Sequence, residues 1–157
     1  MTTPSPGIGL TFAGELAVVT GASGGIGAAV TQTLLAAGLR VLGLDRVEPA
    51  ADDTHADRSR GAAVDVTDRS GVADAIDRLR DGLPVSYVVN CAGIIDETGF
   101  AGVNRDRWLR TLDINLVGSY NVTDVATERF APAGGAIVNV TSIEADSVIA
   151  LSNPDPN

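Results

Sequence analysis

No lysine occurs among the 157 residues, so all eleven basic side chains are arginines. Twenty acidic residues oppose them, leaving a formal charge of −9. That balance repels nucleic-acid phosphates and anionic membrane surfaces, and neither is expected as a partner. Cysteine is almost absent as well. Cys91 alone excludes an internal disulfide and a cysteine-based zinc site, and no metal centre is expected. The one histidine, His55, sits in a polar stretch. No apolar run is long enough to cross a bilayer, and no basic segment precedes an apolar one near Met1. A soluble, cytoplasmic protein is the expectation.

What is abundant is small and apolar: 45% hydrophobic residues and 18 glycines. This composition suits a packed α/β domain. The length fits one such domain over 1–157, with an irregular leader at 1–13 and an irregular tail at 143–157.

Glu15 to Thr20 is a short apolar run closed by glycines, as a buried strand is. Gly25 to Ala37 carries Ile26, Val30 and Leu34 at helical spacing, and Gly38 is placed to end that helix. Strands are expected at Arg40 to Leu44, Ala62 to Val66, Ser86 to Asn90 and Ala136 to Val140. Between them, 47–60 reads as a loop with at most a short helix. Asp68 caps a helix facing inward through Val72, Ala75, Ile76 and Leu79. A glycine-containing loop follows at 92–103, and a long helix lies within 104–130. In that helix Trp108, Leu112 and Leu116 form one stripe, with Trp108 expected to pack inward. Strands alternating with helices imply a Rossmann-like, doubly wound parallel sheet, here its first five strands with their flanking helices. Such sheets bind ligands beyond the carboxyl ends of their strands, where the strand order reverses.

The candidate site residues lie at those ends. Thr20-Gly21-Ala22-Ser23-Gly24-Gly25-Ile26-Gly27 joins the first strand to the first helix. It is either an ordinary glycine-rich connection or a phosphate cradle, in which Gly21, Ser23, Gly24, Gly25, Ile26 and Gly27 bring backbone N–H groups to a pyrophosphate. Asp45 ends the second strand at the distance where an acid meets the adenosine ribose, accepting from two hydroxyls and repelling a 2′-phosphate. Its neighbour Arg46 pulls the other way, toward a 2′-phosphate or a stacked adenine. NAD is favoured over NADP.

The spacing Thr-Gly-x-x-x-Gly-x-Gly resembles that of the short-chain dehydrogenase/reductase family, and later motifs follow in the family's order. Asp65-Val66 stands where the family holds the adenine ring. Asn90-Cys91-Ala92-Gly93 resembles its Asn-Asn-Ala-Gly motif, with Cys91 replacing the second asparagine. Asn115 matches the family's helix asparagine and Ser142 its catalytic serine. The resemblance implies an NAD(P)-dependent oxidoreductase interconverting an alcohol and a carbonyl compound, working as a homo-oligomer (dimer or tetramer). Serine would polarise the substrate oxygen, and asparagine would hold a proton-relay water. The family's tyrosine, with a lysine four residues on, would supply acid–base catalysis.

That last pair has no counterpart here. The tyrosine is expected near Asp155, and the two tyrosines present, Tyr87 and Tyr120, lie in a strand and a helix. The chain therefore reads as ending just before the Tyr-x-x-x-Lys motif, with dinucleotide binding but no turnover of its own. Strand five is then expected to be an exposed edge that pairs with another copy or aggregates. Two other readings are a non-catalytic dinucleotide-binding or interaction module and an S-adenosylmethionine-dependent methyltransferase. The methyltransferase leaves Asn90 to Gly93 and Ser142 unexplained.

Overall fold

The computed structural model describes residues 11–50, 52–95 and 104–142. Five parallel strands form one sheet: β1 (Leu16–Thr20), β2 (Arg40–Asp45), β3 (Ser59–Ala63), β4 (Tyr87–Asn90) and β5 (Ala136–Asn139). Their spatial order is β3-β2-β1-β4-β5. The chain steps outward from β1 in one direction and then returns to build β4 and β5 on the other side. The reversal between β1 and β4 opens a crevice at the carboxyl edge of the sheet.

Three helical segments cover the faces: α1 (Gly25–Ala36), α2 (Arg69–Leu79) and a long run from α3 (Arg105–Leu112) through a π-helical turn (Asp113–Gly118) into α4 (Ser119–Thr127). Side chains alternate across a strand, so β1 serves two cores at once. Leu16 and Val18 join Leu42, Val72, Ile76, Val88 and Val122 on the side of α2 and α4. Ala17 and Val19 join Val41, Leu34 and Leu35 on the side of α1. Burial on both faces is why β1 reads as a continuous apolar run rather than an alternating one.

Local chemistry sets the helix ends. The Asp68 carboxylate accepts from the Gly71 N–H at 3.0 Å and caps α2, and Asn104 accepts from the Arg107 N–H at 3.0 Å and caps α3. Gly38, at φ +95°, turns the chain out of α1.

Two expectations are corrected. Strand three spans Ser59–Ala63 rather than Ala62 to Val66, because pairing to β2 runs from Val41–Ser59 to Asp45–Ala63. Val64 makes a last backbone bond to the Asp45 carbonyl, and the apolar character of Val64 and Val66 reflects their packing against the core beyond the paired residues. The long helix is not one regular α-helix. Its π turn breaks the phase of the Trp108–Leu112–Leu116 stripe, leaving Trp108 56% and Leu116 63% exposed. The inward face belongs instead to Asn121, Val122, Val125 and Ala126. In the 47–60 segment a single turn of 3-10 helix forms at Asp53–His55. Residues 1–10 of the expected leader, residues 96–103 of the expected loop 92–103 and the expected tail at 143–157 lie outside the described residues.

Candidate functional site

The carboxyl ends of β1 to β4 surround one groove of about 460 Å³. Its floor is the turn after β1, where Gly21, Gly24, Gly25, Ile26 and Gly27 all line the cavity. Two of these positions are sterically forced. Gly21 lies at φ +65°, and a Cβ there would come within 3.0 Å of the Cys91–Ala92 peptide. Gly27 is in contact with the turn behind it, where an added Cβ would stand 2.1 Å from the Gly21 carbonyl oxygen. The amino end of α1 is thereby drawn tightly under the turn. Its first N–H groups, which have no partner within a helix, face the groove with the positive end of the helix dipole.

One wall comes from β2 and the segment after β3: Asp45, Arg46, Val64, Asp65 and Val66. Asp45 is held from two sides. Its Oδ2 accepts from the Ser23 N–H at 3.0 Å and its Oδ1 from the Val47 N–H at 3.4 Å. Asp65 accepts twice at Oδ1, from the Thr67 N–H at 2.9 Å and the Thr67 hydroxyl at 2.8 Å. These bonds to Thr67 hold its carboxyl below the usual range, helped by the charges of Arg46 and Arg110. Asp65 is therefore an anion with lone pairs to spare at neutral pH.

The opposite wall is the segment after β4, Cys91 to Ile94, backed by Ile114. Two side chains that carry no apolar signal hold it in place. The buried Thr20 hydroxyl accepts from both the Cys91 and Ala92 N–H groups, each at 3.0 Å. Asn115, inside the π turn, pairs with the backbone of Ile94 as another peptide would. It donates to the Ile94 carbonyl at 2.9 Å and accepts from the Ile94 N–H at 2.8 Å. Burial pushes the Cys91 thiol up, so it stays protonated and is no nucleophile.

Most of the residues singled out in the sequence thus meet on one surface; four do not line it. Ser23 sits behind Asp45, and Asn115 acts through Ile94. The buried Asn90 side chain points away from the groove and donates to Asn139 Oδ1 at 2.8 Å and Thr123 Oγ1 at 3.1 Å. It ties β4 to β5 and to α4. Ser142 lies three residues beyond β5, exposed at the same edge of the sheet.

Several contributors escape a sequence reading. Thr20 was visible as the first residue of the glycine motif but with no role assigned to its side chain, and Ile94, Ile114 and Val64 carry no motif. Asn121, a polar residue on an inward helix face, donates to the Val66 and Thr67 carbonyls at 3.0 and 3.2 Å and fixes the Asp65 segment. An amide on a buried helix face is the one signal that pointed to it. The two tyrosines are elsewhere: the Tyr87 hydroxyl accepts from the Gly14 N–H at 2.9 Å, and Tyr120 is exposed on α4. Among the described residues no cluster of histidine, cysteine and carboxylates is suited to a metal ion, and no helix is long and apolar enough to cross a membrane.

Comparison with known proteins gives the same picture. D-threitol dehydrogenase of Mycolicibacterium smegmatis is 34% identical over 137 residues, covering 82% of this chain and 53% of that protein. (3R)-3-hydroxyacyl-CoA dehydrogenase of Mus musculus is 32% identical over 145 residues, covering 82% and 56%. Among solved structures, the ligand-free aldohexose dehydrogenase of Thermoplasma acidophilum superposes with a TM-score of 0.74 at 28% identity, over 84% of this chain and 51% of that one. The chain spans about half the length of these relatives. The sequence profile of short chain dehydrogenases matches residues 15–153, and with that match the chain belongs to the short chain dehydrogenase family.

Proposed function

We propose that the groove binds a nicotinamide dinucleotide, NAD in preference to NADP, and that the protein interconverts an alcohol and a ketone or aldehyde by hydride transfer. One observation carries the proposal. The glycine turn, Asp45, the Asp65–Val66 segment and Cys91 to Gly93 converge on a single groove at the reversal point of a parallel sheet.

The shape of the turn fits that ligand. A Cβ added at Gly24 or Gly25 would meet nothing within 4 Å, so the face of the turn toward the groove is open, while Gly27 leaves no room behind it. A pyrophosphate needs this: bare backbone in front and a helix amino end beneath. In the proposed assignment Gly21 to Gly27 hold the phosphates and Asp45 accepts from the adenosine ribose hydroxyls. Asp65 and Val66 hold the adenine, and the Cys91–Ala92–Gly93 backbone lines the path to the nicotinamide. The nicotinamide ring, when bound, supplies the hydride acceptor or donor. Ser142 would hydrogen-bond the substrate oxygen. Asn115 would keep the β4 segment in register through Ile94, its place in a proton relay resting on the family resemblance.

Protonation of the substrate oxygen needs a group tuned toward neutral pH, and these 157 residues contain no lysine to lower a tyrosine pKa. Catalysis is accordingly assigned to a form that carries the family's tyrosine and lysine, and this chain alone is assigned binding without turnover. A homo-oligomer and a cytoplasmic location belong to the same proposal. The exposed Trp108, Leu116 and Tyr120 on α3 to α4 support the former.

Fluorescence titration with NADH and NADPH is the direct test. Saturable binding with NADH the tighter is expected, and no saturable binding of either sinks the reading. The missing lysine also favours a second reading, a module that binds the dinucleotide and catalyses nothing. A longer natural form that reduces a carbonyl compound with NADH, and loses that activity in Ser142→Ala, would exclude it.

A further inference from the structure

The acid at the end of β2 is not an isolated side chain, and what surrounds it bears on which dinucleotide the groove accepts. Ser23 donates twice into the segment 45–47. Its N–H goes to Asp45 Oδ2 at 3.0 Å, and its hydroxyl goes to the Val47 carbonyl at 2.7 Å. The Val47 N–H closes the ring on Asp45 Oδ1 at 3.4 Å. Both donors of Ser23 are therefore spent inside the protein. What faces the groove at this corner is the Asp45 carboxylate, an acceptor-only group held from behind by Ser23. A carboxylate suits ribose hydroxyls, which donate, and opposes a phosphate, which cannot.

We propose that Ser23 is a positioning residue for cofactor choice: by latching the glycine turn to Val47 it aims the Asp45 carboxylate into the groove. Arg46, next in the chain to Asp45, does not undo this. It makes no hydrogen bond or ion pair among the described residues, and it is close enough to Asp65 for its charge to act there. Without the latch, the 45–47 segment is free to turn Arg46 toward the ribose, and the discrimination falls. This rests on the dinucleotide reading of the groove.

The test is NADH and NADPH affinity of the 157-residue chain, and of any longer natural form, for wild type, Ser23→Ala and Ser23→Thr. Ser23 is exposed, so Ser23→Ala should melt with the wild type. One lost hydrogen bond predicts a fall of roughly three- to tenfold in the NADH-to-NADPH affinity ratio for Ser23→Ala. Ser23→Thr, which keeps the hydroxyl, should restore it. An unchanged ratio in Ser23→Ala, an equal loss for both nucleotides, or a wild type that prefers NADPH overturns the latch. A wild type that binds neither nucleotide overturns the groove reading and the latch with it.

Discussion

β1 and β5 are near twins in sequence, Leu-Ala-Val-Val-Thr and Ala-Ile-Val-Asn, and both pair in parallel with β4. Their surroundings are opposite. Every residue of β1 is buried between β2 and β4 and between two helical layers, whereas all four residues of β5 are exposed and Val138 keeps 54% of its surface. A parallel strand is stabilised by what covers its two faces more than by its own composition. The groove side of the sheet brings that cover with it: α1 on one face, α2 and α4 on the other. The β5 side does not have it among the described residues. The half of the molecule that shapes the groove is thus self-supporting, and the half that carries Ser142 is open.

Four substitutions would break or sharpen that contrast. The largest effect is expected from Gly27→Val. Its side chain has no room against the Gly21 carbonyl, so the helix must leave the turn, at a cost of about 3 kcal/mol or more and with loss of dinucleotide binding. Chemical denaturation and NADH titration read both, and a stable, binding variant would show that the turn is not packed as described. Next comes the direct comparison. Leu42→Ala, in the covered half, should lower stability by about 2–5 kcal/mol. Val138→Ala should change it by less than about 0.5 kcal/mol, as an exposed position does. Similar losses at the two sites would mean that β5 is covered in solution by another copy or another segment.

A further, pH-dependent effect concerns the back of the covered half. The Arg129 guanidinium forks onto Asp77, with bonds of 2.8 Å to Oδ1 and 2.5 Å to Oδ2, and joins the end of α4 to α2. Arg129 first, and Arg80 second, lower the Asp77 carboxyl to about 2. A carboxyl depressed in the fold stabilises it above the unfolded-state pKa and loses that contribution as pH falls through the folded one. The pair should therefore help fully above about pH 4 and fade toward pH 2. Because Asp77 is nearly half exposed, solvent screening limits the pair to about 1 kcal/mol or less. In Asp77→Asn, melting temperatures followed from pH 6 to about 2 should start slightly lower and fall less with acid. An unchanged acid slope would remove the pair from the account.

The pattern of apolar runs and glycines was enough to read α1, α2 and four of the five strands near their true places, since each depends on spacing along the chain. The glycine turn was legible for the same reason: tight turns and bare backbone are properties of residue type. Strand three was misplaced because Arg60 and Gly61 look unlike strand residues, and only their pairing to Leu42 and Gly43 makes them so. Trp108 was misjudged because a π turn five residues on shifts the helix phase, and no propensity announces it.

By itself, then, the sequence determined the parallel α/β architecture, the tight glycine turn at Gly21 to Gly27, the acid at Asp45 and the absence of any lysine. Tertiary structure alone decided which side chains face the groove and which hold its walls. Thr20, Asn90, Asn115 and Asn121 are all small polar residues of the kind that line active sites. Hydrogen bonds spanning 21 to 72 positions commit them to backbone or to neighbouring strands instead. The reason is physical: a buried amide or hydroxyl must find a partner, and the partner is chosen by the packing of distant segments.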